Sequence, residues 1–260
     1  MNVALCQLDI VWENKAANFE RVEALLAKTP VAPGSLFILP EMFSTGFSLN
    51  VALTAEHPDG LTAQFLSKLA HKHRFYVFGA QTTHGANGKG RNEAVIFNPD
   101  GAEIARYCKL QPFSGAGETA QHEPGSRTIQ VPMQGWVLSP FICYDLRFPE
   151  IFRDVARKGT NLIVDIANWP YPRDAHWVTL LQARAIENLS YVIGVNRAGS
   201  DPQFRYFGRS LIVDPQGVIV ADAGADENIL QGKIDLNTVH AWREKFPPLR
   251  DIRADFLPHP

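Results

Sequence analysis

The chain of 260 residues has few cysteines, no long uncharged apolar run and no large excess of charge of either sign. Three cysteines without paired spacing do not indicate a disulfide framework, and they suit a reducing compartment such as the cytoplasm. No stretch of about 18 uncharged apolar residues occurs, so no membrane span is expected. The net charge of −2, without a dense run of lysine and arginine, argues against a nucleic-acid surface.

What the chain does contain is the composition of a globular protein. Its hydrophobic residues make up 45% of the sequence, and 260 residues are enough to bury a substantial core. We therefore expect one domain over residues 1–260. The segment Met1–Ile10 lacks the basic region and the cleavage site of a signal peptide, and it is predicted to be the first strand.

Predicted strands and helices alternate in both halves of the chain. Strands are predicted at residues 2–10, 35–39, 75–83, 93–97, 102–108, 137–143, 161–166, 191–196 and 229–234. Helices are predicted at residues 16–28, 61–73, 149–158, 175–188 and 237–246. Two such halves are consistent with two sheets packed face to face under helices, although one doubly wound sheet would also fit this pattern.

One cysteine stands where a strand is predicted to end and a helix to begin. Cys143 follows the apolar run Gly135–Ile142, and Pro149 with Glu150 is typical of the first turn of a helix. A thiol at such a turn lies near backbone N–H groups and a positive helix end, which favour a thiolate and a nucleophilic role. The alternative is that Cys143 is inert packing, as most buried cysteines are.

A carboxylate and an amine also follow strand-like runs. Glu41 comes after the apolar run Leu36–Leu39, and Lys109 comes after Glu103–Cys108. Apolar neighbours suit Glu41 to proton transfer because they disfavour its ionised form. Each side chain alone could be an ordinary surface charge. Together with the thiol they indicate an active site, since ligands bind at the C-terminal ends of strands in α/β sheets.

At these residues the sequence resembles the nitrilase (carbon–nitrogen hydrolase) superfamily. The matching segments are LPEMFSTGF around Glu41, YCKLQPF around Lys109 and FICYDLRFPE around Cys143, in that order. Three further strings, ANWP, ARAIEN and EKFP, are most similar to the bacterial omega-amidase branch. The resemblance covers nearly the whole chain. It implies an α/β fold, a four-layer α-β-β-α sandwich of two mixed sheets, and a homodimer formed through residues 175–188 and the C-terminal segment.

The resemblance also implies a reaction and its residues. Cys143 would attack a small-molecule amide, Glu41 would move the protons, and a thioester acyl-enzyme would form as ammonia leaves. Lys109 and the backbone N–H of Tyr144 would hold the oxyanion. An accessory glutamate is expected after the catalytic lysine. Glu118 fits this role, and Glu123 is the alternative.

The implied substrate is a small anionic omega-amide such as 2-oxoglutaramate, which requires a cation for its carboxylate. Arg173 is expected beside the cleft. Arg147 is a second candidate, although its sequence neighbours Asp145 and Glu150 favour a structural ion pair instead. The predicted apolar walls are aromatic residues, namely Phe43, Phe113 and Trp169.

Other functions stay open on the sequence alone. Nitriles or N-carbamoyl acids could be the substrates within the same superfamily. A Cys–His thiol hydrolase would need one of the eight histidines beside Cys143. A non-catalytic interaction protein on the same scaffold is a third class. The histidines lack metal-ligand spacing and no nucleotide loop is present, so no metal and no cofactor are predicted.

Overall fold

A computed structural model describes residues 1–253, whose strands form two six-stranded sheets. The strands are β1 Asn2–Gln7, β2 Leu36–Ile38, β3 Tyr76–His84, β4 Gly90–Phe97, β5 Glu103–Cys108, β6 Val131–Met133, β7 Trp136–Ile142, β8 Leu162–Ala167, β9 Tyr191–Asn196, β10 Leu211–Val213, β11 Ile219–Asp222 and β12 Asn228–Lys233. The helices are α1 Lys15–Lys28, α2 Val51–Thr54, α3 Leu61–His73, α4 Glu118–Gln121, α5 Pro149–Arg157, α6 Asp174–Asn188 and α7 Leu236–Lys245.

Both sheets follow the same plan. The first has the strand order β12-β1-β2-β3-β4-β5, and the second has the order β11-β10-β9-β8-β7-β6. Each sheet has three adjacent parallel strands, β1-β2-β3 in one and β7-β8-β9 in the other, flanked by antiparallel strands. The sheets are therefore mixed, as the resemblance implied.

Alternating side chains of the first sheet serve two different layers of the core. On β1, Val3 and Leu5 pack towards the second sheet, in a cluster that also holds Leu138 and Ile163. The intervening residues of β1, such as Ala4, pack outwards among buried side chains of α1 and α3. Helices α5 and α6 pack on the second sheet. This arrangement confirms the predicted four-layer sandwich.

Strand β12 departs from the plan that the sequence suggested. It was predicted at residues 229–234 among the strands of the second half, but it pairs antiparallel with β1 of the first half, from Asn2 opposite Lys233 to Gln7 opposite Asn228. Strand β1 also ends at Gln7 rather than at Ile10, because its pairing with β12 stops there. No helix within residues 1–253 is long and apolar enough to cross a bilayer.

The fold brings several strand ends together. Glu41 follows β2, Lys109 follows β5 directly and Cys143 follows β7 directly. The first two strands belong to one sheet and β7 belongs to the other. Side chains at the C-terminal ends of strands from both sheets therefore lie close together between the two sheets.

Candidate active site

A buried lysine lies between two buried glutamates. The Nζ atom of Lys109 is 2.9 Å from Oε1 of Glu41 and 2.9 Å from Oε2 of Glu118. The lysine side chain is 1% exposed and both glutamates are fully buried. Three charged groups this far from water persist only when they are paired with one another and hydrogen-bonded.

Two asparagines complete this network, and no role was predicted for either from the sequence. The side-chain amide of Asn92 donates to Glu41 at 2.7 Å and to Glu118 at 3.1 Å. The backbone N–H of Asn168 donates to Oε2 of Glu41 at 2.8 Å. Asn168 belongs to the ANWP string that carried the resemblance, so a signal for it existed. Asn92 lies within β4, where nothing in the local sequence sets it apart.

The charges of the network set the protonation of its members. Burial alone would lower the pKa of Lys109, but the charges of Glu118 and Glu41 outweigh burial and raise it well above its usual value. Burial alone would raise the pKa of Glu118, but the charge of Lys109 and the backbone N–H of Phe113 lower it. Lys109 is therefore an ammonium ion and Glu118 is a carboxylate at neutral pH.

Cys143 begins a short 3₁₀ helix, Cys143–Arg147, immediately after β7. Its φ is +50°, a left-handed conformation that is uncommon for residues other than glycine. Its backbone N–H donates to Oδ1 of the buried Asp165 at 2.9 Å. Non-glycine residues in this conformation persist where the surroundings hold them, and they concentrate at functional sites.

The prediction that the turn favours a thiolate is wrong for the resting protein. Burial and the nearby charge of Glu41 raise the pKa of the Cys143 thiol well above its usual value, and Lys109 offsets them only in part. A 3₁₀ turn of five residues has little dipole to oppose this. The thiol is therefore neutral at rest, and it needs a base before it can attack.

Lys109 and Cys143 line the same cavity, which has a volume of about 340 Å³. Among the predicted contact residues, Phe113, Trp169, Arg147 and Arg173 also line it. The other lining residues are Phe47, Ala116, Tyr144, Asn168, Pro170, Phe204 and Tyr206. Phe47, Phe204 and Tyr206 were missed. Phe47 ends the LPEMFSTGF string, so a signal for it existed, whereas only the fold brings Phe204 and Tyr206 to this cavity.

Phe43 does not line the cavity, so its prediction as an apolar wall is wrong. Its side chain is fully buried in the outer core and packs against Phe19 of α1 and Phe65 of α3, with ring centroids 6.1 Å away in each case. The reason lies one residue earlier. Met42 has a φ of +44° within the turn at residues 41–45, and Phe43 after it packs in the outer core.

The prediction that Arg147 forms a structural ion pair is also wrong. The carboxylate of Asp145 instead accepts hydrogen bonds from the Tyr107 hydroxyl and from the backbone N–H groups of Ile142 and Gln111. The guanidinium of Arg147 lies 4.6 Å from the ring centroid of Trp169, on the cavity wall.

The positively charged side chains on the cavity wall are only partly paired with carboxylates. Within residues 1–253, neither Arg147 nor Arg173 has a carboxylate at ion-pair distance. Burial and the charge of Arg173 lower the pKa of Arg147. The cavity therefore offers two guanidinium groups to a bound anion.

The structure separates the two candidates for the accessory acid. Glu118 starts α4 and contacts Lys109, as described above. Glu123 pairs with Arg91 at 3.0 Å and accepts the backbone N–H of Ala86, close to solvent. Of the two, Glu118 alone belongs to the buried network.

The Cys–His alternative finds no geometric support. No histidine within residues 1–253 lines the cavity that holds Cys143. His176 lies 3.3 Å from a guanidinium nitrogen of Arg147, and His122 is buried next to Gly90. A thiol–imidazole pair requires hydrogen-bond reach.

Residues 2–244 match the family model described as carbon-nitrogen hydrolase, and the chain belongs to that family. This result confirms the resemblance, which covers nearly all of the sequence. Over 253 residues the chain is 36% identical to the omega-amidase YafV of Yersinia enterocolitica, with 96% of both chains covered. Over 254 residues it is 34% identical to a 2-oxoglutaramate amidase of Bacillus subtilis, covering 97% of this chain and 98% of the relative.

Solved structures show the same fold. A CN-hydrolase superfamily protein from Xanthomonas campestris, which carries an arsenic adduct in its active site, superposes with a TM-score of 0.91 at 34% identity. The match covers 98% of this chain and 97% of that one. A member of branch 10 of the nitrilase superfamily from Saccharomyces cerevisiae gives a TM-score of 0.84 at 29% identity, covering 95% and 94% of the two chains.

Proposed function

We propose that this single-domain protein is a thiol-dependent amidase that hydrolyses a small omega-amide, such as 2-oxoglutaramate, and releases ammonia. The observation that carries the proposal is the cavity shared by Cys143 and Lys109, with Glu41 and Glu118 both paired to the ammonium of that lysine. The omega-amidase and 2-oxoglutaramate amidase relatives, similar over almost the full chain, support the choice of substrate.

In the first half-reaction Sγ of Cys143 attacks the amide carbon while Glu41 takes the thiol proton. The carbonyl oxygen becomes an oxyanion, and the Lys109 ammonium and the backbone N–H of Tyr144 stabilise it. The C–N bond then breaks, and Glu41 returns the proton to the departing nitrogen, which leaves as ammonia. A thioester with Cys143 remains.

In the second half-reaction a water molecule attacks the thioester and Glu41 accepts a proton from it. A second oxyanion forms at the same donors, the C–S bond breaks, and the proton returns to the sulfur. Glu118 keeps Lys109 charged throughout. If Glu41 were the only partner of Lys109, protonation of Glu41 would leave the Lys109 ammonium buried without a counter-ion.

The two guanidinium groups that have no carboxylate partner within residues 1–253 support an anionic substrate. Arg173 lies with its guanidinium carbon 5.8 Å from the ring centroid of Phe113, and Arg147 lies over Trp169. Aromatic surfaces hold each guanidinium by its apolar face and leave N–H groups for a ligand, while one nitrogen of Arg147 also lies 3.3 Å from Nδ1 of His176. A planar fork of donors suits a carboxylate, which would direct the amide end of the molecule towards Cys143.

A panel of substrates tests the proposal through the release of ammonia. Monoamides of short dicarboxylic acids should be turned over faster than neutral amides of equal length, because only the former offer a carboxylate to the arginines. Nitriles and N-carbamoyl acids of the same length belong in the same panel. Faster turnover of either of those classes would contradict the assignment and favour the corresponding alternative.

Arg173→Gln should weaken the selection for the anionic substrate. We expect kcat/KM for a dicarboxylic monoamide to fall, chiefly because KM rises. The loss should correspond to about 2 kcal/mol of transition-state stabilisation, because a charge-assisted hydrogen bond is lost. Kinetics with a neutral amide should change little. Arg205→Gln is the matched control, since Arg205 is exposed on a neighbouring loop and does not line the cavity. Equal losses on both substrates would indicate a structural role for Arg173.

The proposal includes a cytoplasmic homodimer. Three free cysteines support a reducing compartment. Exposed apolar side chains support a dimer through α6 and the C-terminal segment, since Ile186 on α6 is 52% exposed and Phe246 after α7 is 54% exposed. Residues 254–260 of that segment lie outside the described residues. A sedimentation coefficient that matches one chain of 28.9 kDa would contradict the dimer.

A further inference from the structure

Asp165 is a buried acid that the reaction described above does not use. It lies in the middle of β8, its side chain is fully buried, and its Oδ1 accepts the backbone N–H of Cys143 at 2.9 Å. Its Oδ2 atom has no hydrogen-bond partner within residues 1–253. A carboxyl group in a central parallel strand is unusual, because such strands are normally apolar on both faces.

The register of the second sheet explains why the side chain reaches Cys143. Strands β7 and β8 are parallel, and Phe141 lies opposite Asp165. The β7 ladder ends at Ile142, and Cys143 turns into the left-handed region immediately afterwards. The Asp165 side chain supplies the acceptor that the N–H of Cys143 needs at this point, where a buried N–H without a partner would be costly.

A second acid holds the preceding residue in the same manner. The backbone N–H of Ile142 donates to Asp145 at 3.0 Å, and Tyr107 donates to the same carboxyl oxygen at 2.8 Å. Two consecutive N–H groups at the nucleophile turn are therefore taken by buried acids. The N–H of Cys143 is therefore unavailable to a substrate oxygen. The next N–H along the chain is that of Tyr144, to which the mechanism above assigns this role.

We propose that Asp165 is a positioning residue that fixes the left-handed turn at Cys143, and thereby the direction of its sulfur, by accepting the backbone N–H of Cys143. The proposal rests on the assignment of Cys143 as the nucleophile. It concerns geometry, since Asp165 acts through Cys143 and does not line the cavity.

The acceptor role does not require a charge. Burial, followed by the nearby Asp145, raises the pKa of Asp165 well above its usual value, and Glu41 adds to this while Lys109 and the Cys143 N–H oppose it. Burial therefore favours the neutral form of this carboxyl group. An amide side chain of the same shape offers the same oxygen to the N–H of Cys143.

The test compares Asp165→Asn, which keeps the acceptor, with Asp165→Val, which removes it. Two quantities are measured for each variant: kcat and KM on the monoamide, and the rate at which iodoacetamide alkylates Cys143, followed by peptide mass spectrometry. Ile163→Val is the control for a small change at another buried position of β8. Thermal unfolding reports whether each variant is folded.

We expect Asp165→Asn to stay within about threefold of the wild type in kcat, with an unchanged pH profile, because the oxygen acceptor remains. Asp165→Val should lose at least about tenfold in kcat with little change in KM, since small displacements of a reacting atom have large effects on rate. Its Cys143 should also be alkylated at a clearly different rate.

Two results would overturn the proposal. One is a folded Asp165→Val protein with wild-type kcat and a wild-type alkylation rate. The other is a loss in Asp165→Asn of more than about tenfold, which remains decisive even if the valine variant does not fold. The alkylation measurement needs no amide turnover. It therefore tests the positioning of the sulfur even if the protein hydrolyses none of the amides offered.

Discussion

Cys143→Ala is expected to abolish ammonia release while the protein stays folded. Without the sulfur no thioester can form, and loss of a nucleophile lowers kcat by roughly 10⁴-fold or more. The side chain lies at a cavity wall, so its truncation should leave the unfolding temperature nearly unchanged. The measurements are steady-state ammonia release and thermal unfolding. Intact-protein mass spectrometry on the wild type should also detect the acyl-enzyme.

Cys108→Ala is the matched control for this experiment. Cys108 is partly buried at the end of β5, next to Lys109 in the chain, and it does not line the cavity. Its alanine variant should keep wild-type turnover. Full activity in Cys143→Ala, or loss of activity only in Cys108→Ala, would refute the assignment of the nucleophile.

The second large effect is expected for Lys109→Met, which should damage both activity and stability. Loss of an oxyanion donor typically costs about 10²- to 10³-fold in kcat. Glu41 and Glu118 would also become neighbouring buried carboxylates without their cation. Breaking a buried ion pair by removing one partner destabilises a protein by about 3–5 kcal/mol. Denaturant unfolding and ammonia release measure the two effects separately.

A double variant separates these two contributions. Lys109→Met combined with Glu118→Gln should regain part of the lost stability, since one buried charge is neutralised, but none of the lost activity. Lys28→Met, at an exposed lysine at the end of α1, is the control and should behave as the wild type in both assays. Retention of more than about a tenth of the wild-type kcat in Lys109→Met would exclude Lys109 as a major oxyanion donor.

The sequence predicts the three principal residues of the proposed site because each follows a strand. Glu41, Lys109 and Cys143 occur after separate apolar runs, and reactive side chains at strand ends converge in α/β folds. The family motifs then supply their order and the sandwich architecture. Periodicity alone left that architecture undecided, since it does not say whether nine predicted strands form one sheet or two.

The residues that support the site could not be predicted from the sequence, for a different reason. Asn92 and Asp165 lie inside strands, and their importance comes from contacts with Glu41 and with the N–H of Cys143, which are far away in the chain. Phe43 was misassigned because proximity to Glu41 in the sequence says nothing about direction after the left-handed Met42. Arg147 was misassigned because Asp145 already has other hydrogen-bond partners.

The pairing of β1 with β12 has a consequence for biosynthesis. Strand β1 leaves the ribosome long before residues 228–233, which cover one of its two sides. Until then its backbone N–H and C=O groups on that side are open to other chains. Nascent protein that stalls before residue 228 should therefore aggregate or recruit chaperones, whereas synthesis of β12 lets the sheet close within a single molecule.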